Sequence, residues 1–173
     1  MIDAILAAAL LRQHLPSSPS LGIAEGRCRP AEPGPAIIVN VEGLKDRKGL
    51  LKLEVYPSND QDFLVDDNLL IEQGKVFRRA EEPVPAHGPV ALCVRVPQPG
   101  AYSLSLLHDR DSNRKFSFTS DGVGFPNNPS LGLSKPKAAA ARVIAGAGRT
   151  SIDIVMNYRR GLLSFGPIGK AAQ

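Results

Sequence analysis

Residues 89–109, PVALCVRVPQPGAYSLSLLHD, contain two runs of alternating apolar residues joined by the turn-forming segment PQPG. A period of two places successive side chains on opposite faces, which is typical of a β-strand with one buried face. In the second run, Tyr102, Leu104 and Leu106 alternate with serines. The first run puts Cys93 on the face opposite four apolar side chains, which are Val90, Leu92, Val94 and Val96. The segment therefore predicts two consecutive half-buried strands.

Strand-like runs continue on both sides of this segment. They are AIIVNV at 36–41, GLLKLEVYP at 49–57, KVFRRAEEPV at 75–84, AAAARVIAG at 138–146 and TSIDIVMNY at 150–158. With 16 Gly and 15 Pro in the chain, turns are frequent and long helices are disfavoured. About seven short strands separated by turn signals predict an all-β fold, an antiparallel β-sandwich.

The connections between these runs carry signals of their own. EGLKDRKG at 42–49 has the length and the Gly and Asp content of a hairpin connection, and AGAG at 145–148 is typical of a hairpin turn. Residues 62–73 break the alternation and predict one short helical crossover between the sheets. The alanine run at 138–141 has helical propensity, but its position between a proline and the closing hairpin favours a strand.

The N-terminal part divides into a predicted leader at 1–24 and a linker at 25–35. The apolar run AILAAALL at 4–11 has signal-peptide length and is too short to span a bilayer. The triplet at 22–24 follows the small-x-small cleavage pattern and places the mature start near Glu25. No Lys or Arg precedes the run, so a short amphipathic helix and a different start codon remain alternatives. The predicted sandwich covers 36–160, and 161–173 is predicted to be a tail.

The two cysteines give information about the cellular compartment in which the protein resides. Cys93 points away from the core face of its strand, and Cys28 follows the predicted cleavage position, so Cys93 is placed to tether an incoming N-terminal segment. A Cys28–Cys93 disulfide would close a loop of about 65 residues and contribute about 3–4 kcal/mol in the chain-entropy model. Two unrelated thiols are the alternative. A disulfide fits a periplasmic or secreted protein, and two isolated cysteines without a His pair exclude a zinc site.

The net charge of +4 is mildly basic, and its distribution argues against nucleic acid as a partner. Nucleic-acid binders concentrate Lys and Arg on one face, often with aromatic residues for stacking. Here the basic residues are scattered and Trp is absent. We therefore expect no nucleic-acid partner, and the sequence contains no predicted transmembrane segment.

The stretch HDRDSNRKF at 108–116 has two interpretations. Asp109, Asp111 and Asn113 occupy alternate positions, as oxygen ligands do in a calcium loop. Arg114 stands where such a loop needs Gly, and the closing carboxylate is displaced by one residue, to Asp121. The alternative is an Asx-rich turn in which side-chain oxygens accept backbone N–H groups. Calcium is the one cofactor that the sequence suggests.

The same stretch opens a hydrolase hypothesis, in which His108 and Asp109 act with a serine. Adjacent residues on a strand point to opposite faces, and the chain has no G-x-S-x-G motif, so an enzymatic role is disfavoured. The segment GVGFPNNPSLG at 122–132 could form a binding surface with this loop. Its predicted members are His108, Phe125, Asn127 and Asn128, with Phe125 either an exposed anchor or a plug at the end of the sandwich.

The segments GAYSLSLLHDRDSNRKF, GVGFPNN and IVMNYRRG, in this order, resemble the bacterial exported family catalogued as domain of unknown function 2141. The resemblance covers about residues 36–160. It implies export and an immunoglobulin-like or prealbumin-like sandwich, with no established activity. Arg114 departs from the Gly of the family pattern, which weakens a metal role in this chain.

Together these observations predict an exported, non-enzymatic β-sandwich with a binding or envelope-associated structural role. The partner would be a protein or another envelope component. A calcium-dependent binding module and a hydrolase are the two alternatives.

Overall fold

The computed structural model describes residues 14–132, 134–162 and 164–168. The apolar run at 4–11 lies outside these residues. Within them the chain forms ten strands, one short helix and one 3₁₀ turn. The elements are β1 Ala36–Glu42, β2 Leu50–Pro57, α1 Asp67–Glu72, β3 Arg78–Pro83, β4 Ala91–Arg95, β5 Gly100–Asp109, β6 Gly122–Gly124, the 3₁₀ turn Ala138–Ala141, β7 Arg142–Ala145, β8 Arg149–Val155, β9 Asn157–Arg159 and β10 Phe165–Pro167.

The strands form two sheets, as predicted for a β-sandwich. The small sheet has the order β4-β1-β8, and the large sheet has the order β10-β9-β6-β5-β2-β3, with β7 pairing with the first half of β5. The pair β1–β8 is parallel, so the sandwich is not purely antiparallel. Strand β7 pairs with β5 in the large sheet. The chain then crosses to the small sheet, where β8 lies beside β1 and runs in the same direction.

The inner faces of the two sheets bury the alternating side chains that the sequence predicts. Leu53 of β2 and Leu104 of β5 lie opposite Ile37 and Val39 of β1 within one cluster, and all four are fully buried. Each such side chain contributes about 1.5–3 kcal/mol through removal of apolar surface from water. This aliphatic core holds the sheets together.

Two predicted hairpins are wrong. The segment at 42–49 joins β1 of the small sheet to β2 of the large sheet, and β1 pairs instead with β4 and β8. The segment at 145–148 likewise links β7 of the large sheet to β8 of the small sheet. Alternation predicts which face of a strand is buried, but a strand buries that face equally well beside its sequence neighbour or across the sandwich from it.

Two further local predictions need correction. The alanine run forms a 3₁₀ turn before β7, because Asp60 accepts a hydrogen bond from the N–H of Ala138 (2.8 Å) and alanine favours helical backbone. The helix predicted within 62–73 is present as α1, but it connects β2 to β3, which are neighbours in the large sheet, and so does not cross between sheets.

The N-terminal segment lies along the edge of the large sheet. Ala24 donates to the carbonyl of Arg79 and Arg79 donates to the carbonyl of Gly22, each at 2.7 Å, so residues 22–24 follow the free edge of β3. Residues 14–24, which the sequence assigns to a leader, therefore contact the sandwich. The described residues include no helix that is long and apolar enough to cross a membrane.

The linker and the tail also contact the sandwich. Cys28 and Cys93 form a disulfide with a Cα–Cα distance of 5.5 Å, as predicted, and Cys93 donates to the carbonyl of Gly26 (2.8 Å). Within the segment predicted to be a tail, β10 pairs with β9 and extends the large sheet.

Candidate functional site

The outer face of the large sheet carries a second, aromatic cluster, which we call the outer cluster. Its buried members are Tyr56, Phe63, Leu70, Phe77, Phe125, Ala138 and Ala141. The Tyr56 ring meets the Phe63 and Phe77 rings edge to face, with centroids 5.6 and 5.4 Å apart. Because α1 and the 3₁₀ turn contribute Leu70 and the two alanines, these elements cover only this part of the face.

Beside the outer cluster the same face is open and forms a cavity of about 410 Å³, which we call the outer groove. Lys52 of β2, Leu107 of β5 and Val123 of β6 lie in one row across its floor, since each pairs with the next in the sheet register. Glu54 and Ser105, also paired in register, form the adjacent row. The floor is therefore made of side chains from the rigid centre of the sheet.

Phenylalanines dominate the walls of the outer groove. The chain has six, and four of them line this cavity: Phe116, Phe118, Phe125 and Phe165. The Phe118 and Phe165 rings meet edge to face at 5.0 Å. Phe116 and Phe118 remain 49% and 37% exposed. A patch of exposed rings around a concavity marks an interaction site more often than scattered apolar residues do.

The opposite wall comes from the loops beside the outer cluster. Leu64 lines the groove with φ of 60°, in the left-handed region that costs a branched side chain about 1–3 kcal/mol. Lys135 also lines the groove and donates to the carbonyl of Phe63 (2.9 Å). Strained backbone of this kind concentrates at binding sites, where the surrounding structure holds it in place.

A second cavity of about 330 Å³ adjoins the outer groove, and we call it the basic cleft. Lys52 borders both cavities. The cleft also contains Arg79 and Glu81 of β3, residues 17–19 and the loop at 113–115. Its charged side chains are Lys52, Asp67, Arg79, Glu81, Arg114 and Lys115, so cations outnumber carboxylates.

Arg79 lies buried between the basic cleft and the groove floor. Its Nε donates to Glu54 (2.9 Å), and its Nη1 lies 3.1 Å from Asp67 and donates to the Ser18 carbonyl at the same distance. Burial works to lower the pKa of Arg79, and the two carboxylates raise it above its ordinary value. Tyr56 also donates to Glu54 (2.7 Å). Both partners of Glu54 lie beside it on the outer face, Arg79 on the neighbouring strand and Tyr56 two residues along β2.

The HDRDSN loop has the geometry of an Asx-rich turn. Asp109 accepts hydrogen bonds from the backbone N–H groups of Asn113 (3.2 Å) and Arg114 (2.7 Å). Asp121 accepts from those of Arg110 (3.0 Å) and Ser117 (2.8 Å). Both carboxylates therefore order the loop backbone, as such side chains do in turns.

The loop brings together three carboxylates, but not the predicted trio. Oxygens of Asp109, Asp111 and Asp121 lie within 4.8 Å of one another, whereas the amide nitrogen of Asn113 donates to Asp111 (2.9 Å). Burial raises the pKa of Asp109, and its contact with Asp111 raises it further. Calcium binding at Asp109 and Asp111 stays a prediction, and a metal there would use Asp121 in place of Asn113.

His108 is fully buried between the sheets. Its Nε2 donates to the carbonyl of Lys48 (2.8 Å), and its Nδ1 accepts from the Tyr158 hydroxyl (2.6 Å), which itself accepts from the N–H of Lys45 (3.0 Å). Burial lowers the pKa of His108 and raises that of Tyr158 to about 12. A Cβ at Gly122 would lie 2.4 Å from the Tyr158 ring, so glycine is required there.

His108 therefore fastens the crossover at 44–48 to the large sheet and is not part of an exposed surface. With a backbone carbonyl and the Tyr158 hydroxyl on its two ring nitrogens, the imidazole has no nitrogen left for a serine. The loop contacts of Asp109 lie with Asn113 and Arg114, away from the ring. This geometry does not favour the hydrolase hypothesis.

Of the other predicted surface residues, Phe125 lines the outer groove, whereas Asn127 and Asn128 form hydrogen bonds with neighbouring residues. Phe125 is buried against Phe63 (6.1 Å between centroids) in the outer cluster and lines the outer groove, so it is neither an exposed anchor nor a plug at the end of the sandwich. Asn127 donates to the carbonyls of Ala140 and Arg142, and Asn128 accepts from Asn157 (2.8 Å). Both asparagines adopt positive φ, which this residue tolerates.

The residues that form the outer groove were not predicted from the sequence, above all Lys52, Phe116, Phe118 and Phe165. A signal was present in β2, where Lys52 and Glu54 alternate with buried leucines and so share the outer face. The FSF triplet at 116–118 also places two rings on one side of an extended segment. Nothing in the sequence indicates that β10 brings Phe165 to them.

Comparison with known proteins gives one result. The model of a protein family described as "Uncharacterized protein conserved in bacteria (DUF2141)" matches residues 39–153. The matched range contains the floor of the outer groove and three of its four phenylalanines. No match is found among curated proteins or among solved structures.

Proposed function

The chain belongs to the DUF2141 family of uncharacterized bacterial proteins, and on that premise we propose that it is an exported, non-enzymatic β-sandwich that binds an apolar ligand in the outer groove. The observation that carries this proposal is the concentration of four phenylalanines around one open concavity. Ligand sites are usually preformed concavities of about 300–1,000 Å³ with mostly apolar walls. The outer groove has this size and this lining.

Export is supported by the Cys28–Cys93 disulfide, since such bonds persist in oxidising compartments and are rare in the cytosol. Thiol labelling of the protein in its native host tests this part. We expect both cysteines to resist a maleimide reagent until a reductant is added. Two freely labelled thiols in the native host would contradict export.

Binding is tested by calorimetric titration of the full chain with 1-octanol, a neutral apolar probe. We expect saturable heat for the wild type and at least about a tenfold loss of affinity in Phe118→Ala, because the substitution removes most of one buried ring from the complex. Leu162→Ala is the matched control, since Leu162 is an exposed apolar residue that does not line the groove. Absence of saturable heat, or equal losses in both variants, would overturn the proposal.

Calcium binding is the second candidate function, and the three clustered carboxylates are the observation that favours it. Titration with CaCl₂ should give saturable heat that is lost in Asp121→Asn. No heat with the wild type would leave the loop as a structural turn, and retained binding in Asp121→Asn would exclude Asp121 as a ligand.

A further inference from the structure

We infer that the ligand of the outer groove is an amphipathic anion of the fatty-acid type, with its apolar body in the groove and its carboxylate in the basic cleft. This inference rests on the proposed function and adds the chemistry of the ligand. Lys52 borders both cavities, so a molecule lying along the floor passes directly from an apolar to a cationic environment.

The basic cleft offers cations that the protein leaves incompletely paired. Among the described residues, no carboxylate lies within ion-pair distance of Lys115. Lys52 Nζ lies 3.5 Å from a carboxylate oxygen of Glu54. Arg114 is already engaged, since its Nε donates to Glu81 (2.9 Å), so Lys52 and Lys115 are the two cations available to a ligand. A ligand carboxylate can accept charge-assisted hydrogen bonds from such groups.

The carboxylates beside these cations do not repel an anion strongly. Arg79 and Tyr56 both donate to Glu54, and Arg79 also pairs with Asp67. Glu81 is occupied by Arg114. Four cations (Lys52, Arg79, Arg114 and Lys115) face three carboxylates (Glu54, Asp67 and Glu81), so one positive charge remains. The cleft is therefore complementary to a single negative head group and unfavourable for a cationic one.

The groove itself favours a flexible apolar body over a peptide strand. Its floor consists of side chains on the sheet face, whose backbone groups already pair with neighbouring strands. A peptide lying on this part of the floor would therefore face side chains and not an open strand edge. An alkyl chain needs no such edge, and the rings of Phe116, Phe118 and Phe165 supply the apolar contact it requires.

Calorimetric titration of the full chain with octanoate, 1-octanol and octyltrimethylammonium tests the inference, because the three probes share the apolar body and differ in head-group charge. We expect octanoate to bind at least about tenfold more tightly than octanol, the effect of one charge-assisted hydrogen bond. The cationic probe should bind most weakly. High salt should reduce the advantage of octanoate and leave octanol binding unchanged.

Lys52→Gln combined with Lys115→Gln should bring octanoate and octanol to within about a factor of two of each other. Arg149→Gln is the control, since it removes one positive charge from the small sheet, outside both cavities. Equal binding of octanoate and octanol to the wild type, or an octanoate preference that survives in the double variant, would overturn the inference and leave the groove as a site for neutral ligands. If none of the probes binds, the proposed function itself fails.

Discussion

The two faces of the large sheet are built from different residues and are covered in different ways. The inner face presents aliphatic side chains such as Leu53 and Leu104, which pack against the small sheet. The outer face presents rings and ions, and separate pieces cover it: α1, the 3₁₀ turn and residues 14–24. The filled inner face therefore provides stability, whereas the uncovered part of the outer face provides a site.

The largest expected effect is the loss of unfolding free energy when a cavity is made, and this loss should differ between the two faces. Leu104→Ala on the inner face should lower the free energy of unfolding by about 3–4 kcal/mol, because it leaves a void in a closed core. Leu107→Ala, on the same strand but facing the outer groove, should cost about 1–2 kcal/mol, since the space it vacates joins an existing opening. Urea denaturation measures both. Equal losses of unfolding free energy in the two variants would contradict the difference between the inner and outer faces.

The next effect concerns the ions of the outer face. Arg79→Met should cost about 3 kcal/mol, because it leaves Glu54 and Asp67 buried without their partner. Arg114→Met removes a cation whose side chain is half exposed, and its pair with Glu81 should contribute no more than about 1 kcal/mol. A small loss in Arg79→Met would mean that water reaches this cluster and that the outer face is more open than described.

A pH dependence of stability, of intermediate size, is expected from His108, which is buried on the inner face of the large sheet. Burial lowers the pKa of His108, so the unfolded chain takes up a proton at its ordinary pKa of about 6.5 while the folded chain resists it. Stability should therefore be constant above that pH and fall as the pH drops below it.

The hydrogen bond from Arg110 lowers the pKa of Asp46, so the contribution of Asp46 disappears only at more acidic pH, below about 3.8. Unfolding measured from pH 8 to 5 in the wild type and in His108→Gln isolates the histidine term. A slope that persists unchanged in the variant would assign the effect to other groups.

The smallest effect on stability is expected at the groove wall. Phe118→Ala should leave the free energy of unfolding within about 0.5 kcal/mol of the wild type, because the ring is partly exposed. The same variant should lose affinity for octanol. A large loss of stability would show that Phe118 serves folding and would remove the distinction between the two faces at this point.

The inner face was predictable from the sequence, and the outer face was not, for a physical reason. The alternation of Leu51, Leu53 and Val55 follows from strand geometry alone, so the buried face of β2 could be read locally. The outer groove joins Phe116 and Phe118 from one loop to Phe165 from β10, and only tertiary structure brings them together. The same limit explains the parallel β1–β8 pair, since alternation does not specify a strand's neighbour.

The disulfide and the acidic loop show the same difference between what the local sequence indicates and what only the tertiary structure determines. The cysteine pair was predictable because Cys93 points to the face opposite the core and its partner arrives from the N-terminal segment. The acidic loop was predictable as a turn, with Asp121 as a late carboxylate. The sequence did not indicate that the Asn113 amide would donate to Asp111, which leaves Asp109, Asp111 and Asp121 as the clustered oxygens.

The most direct test of the account is an NMR titration of the ¹⁵N-labelled full chain with 1-octanol, with its disulfide intact. We expect saturable shifts in the amides of Leu107, Phe118 and Val123, which surround the outer groove, and no shifts in the small sheet. Saturable shifts centred on the small sheet, or no saturable shifts at all, would contradict the claim that the open part of the outer face is the binding site.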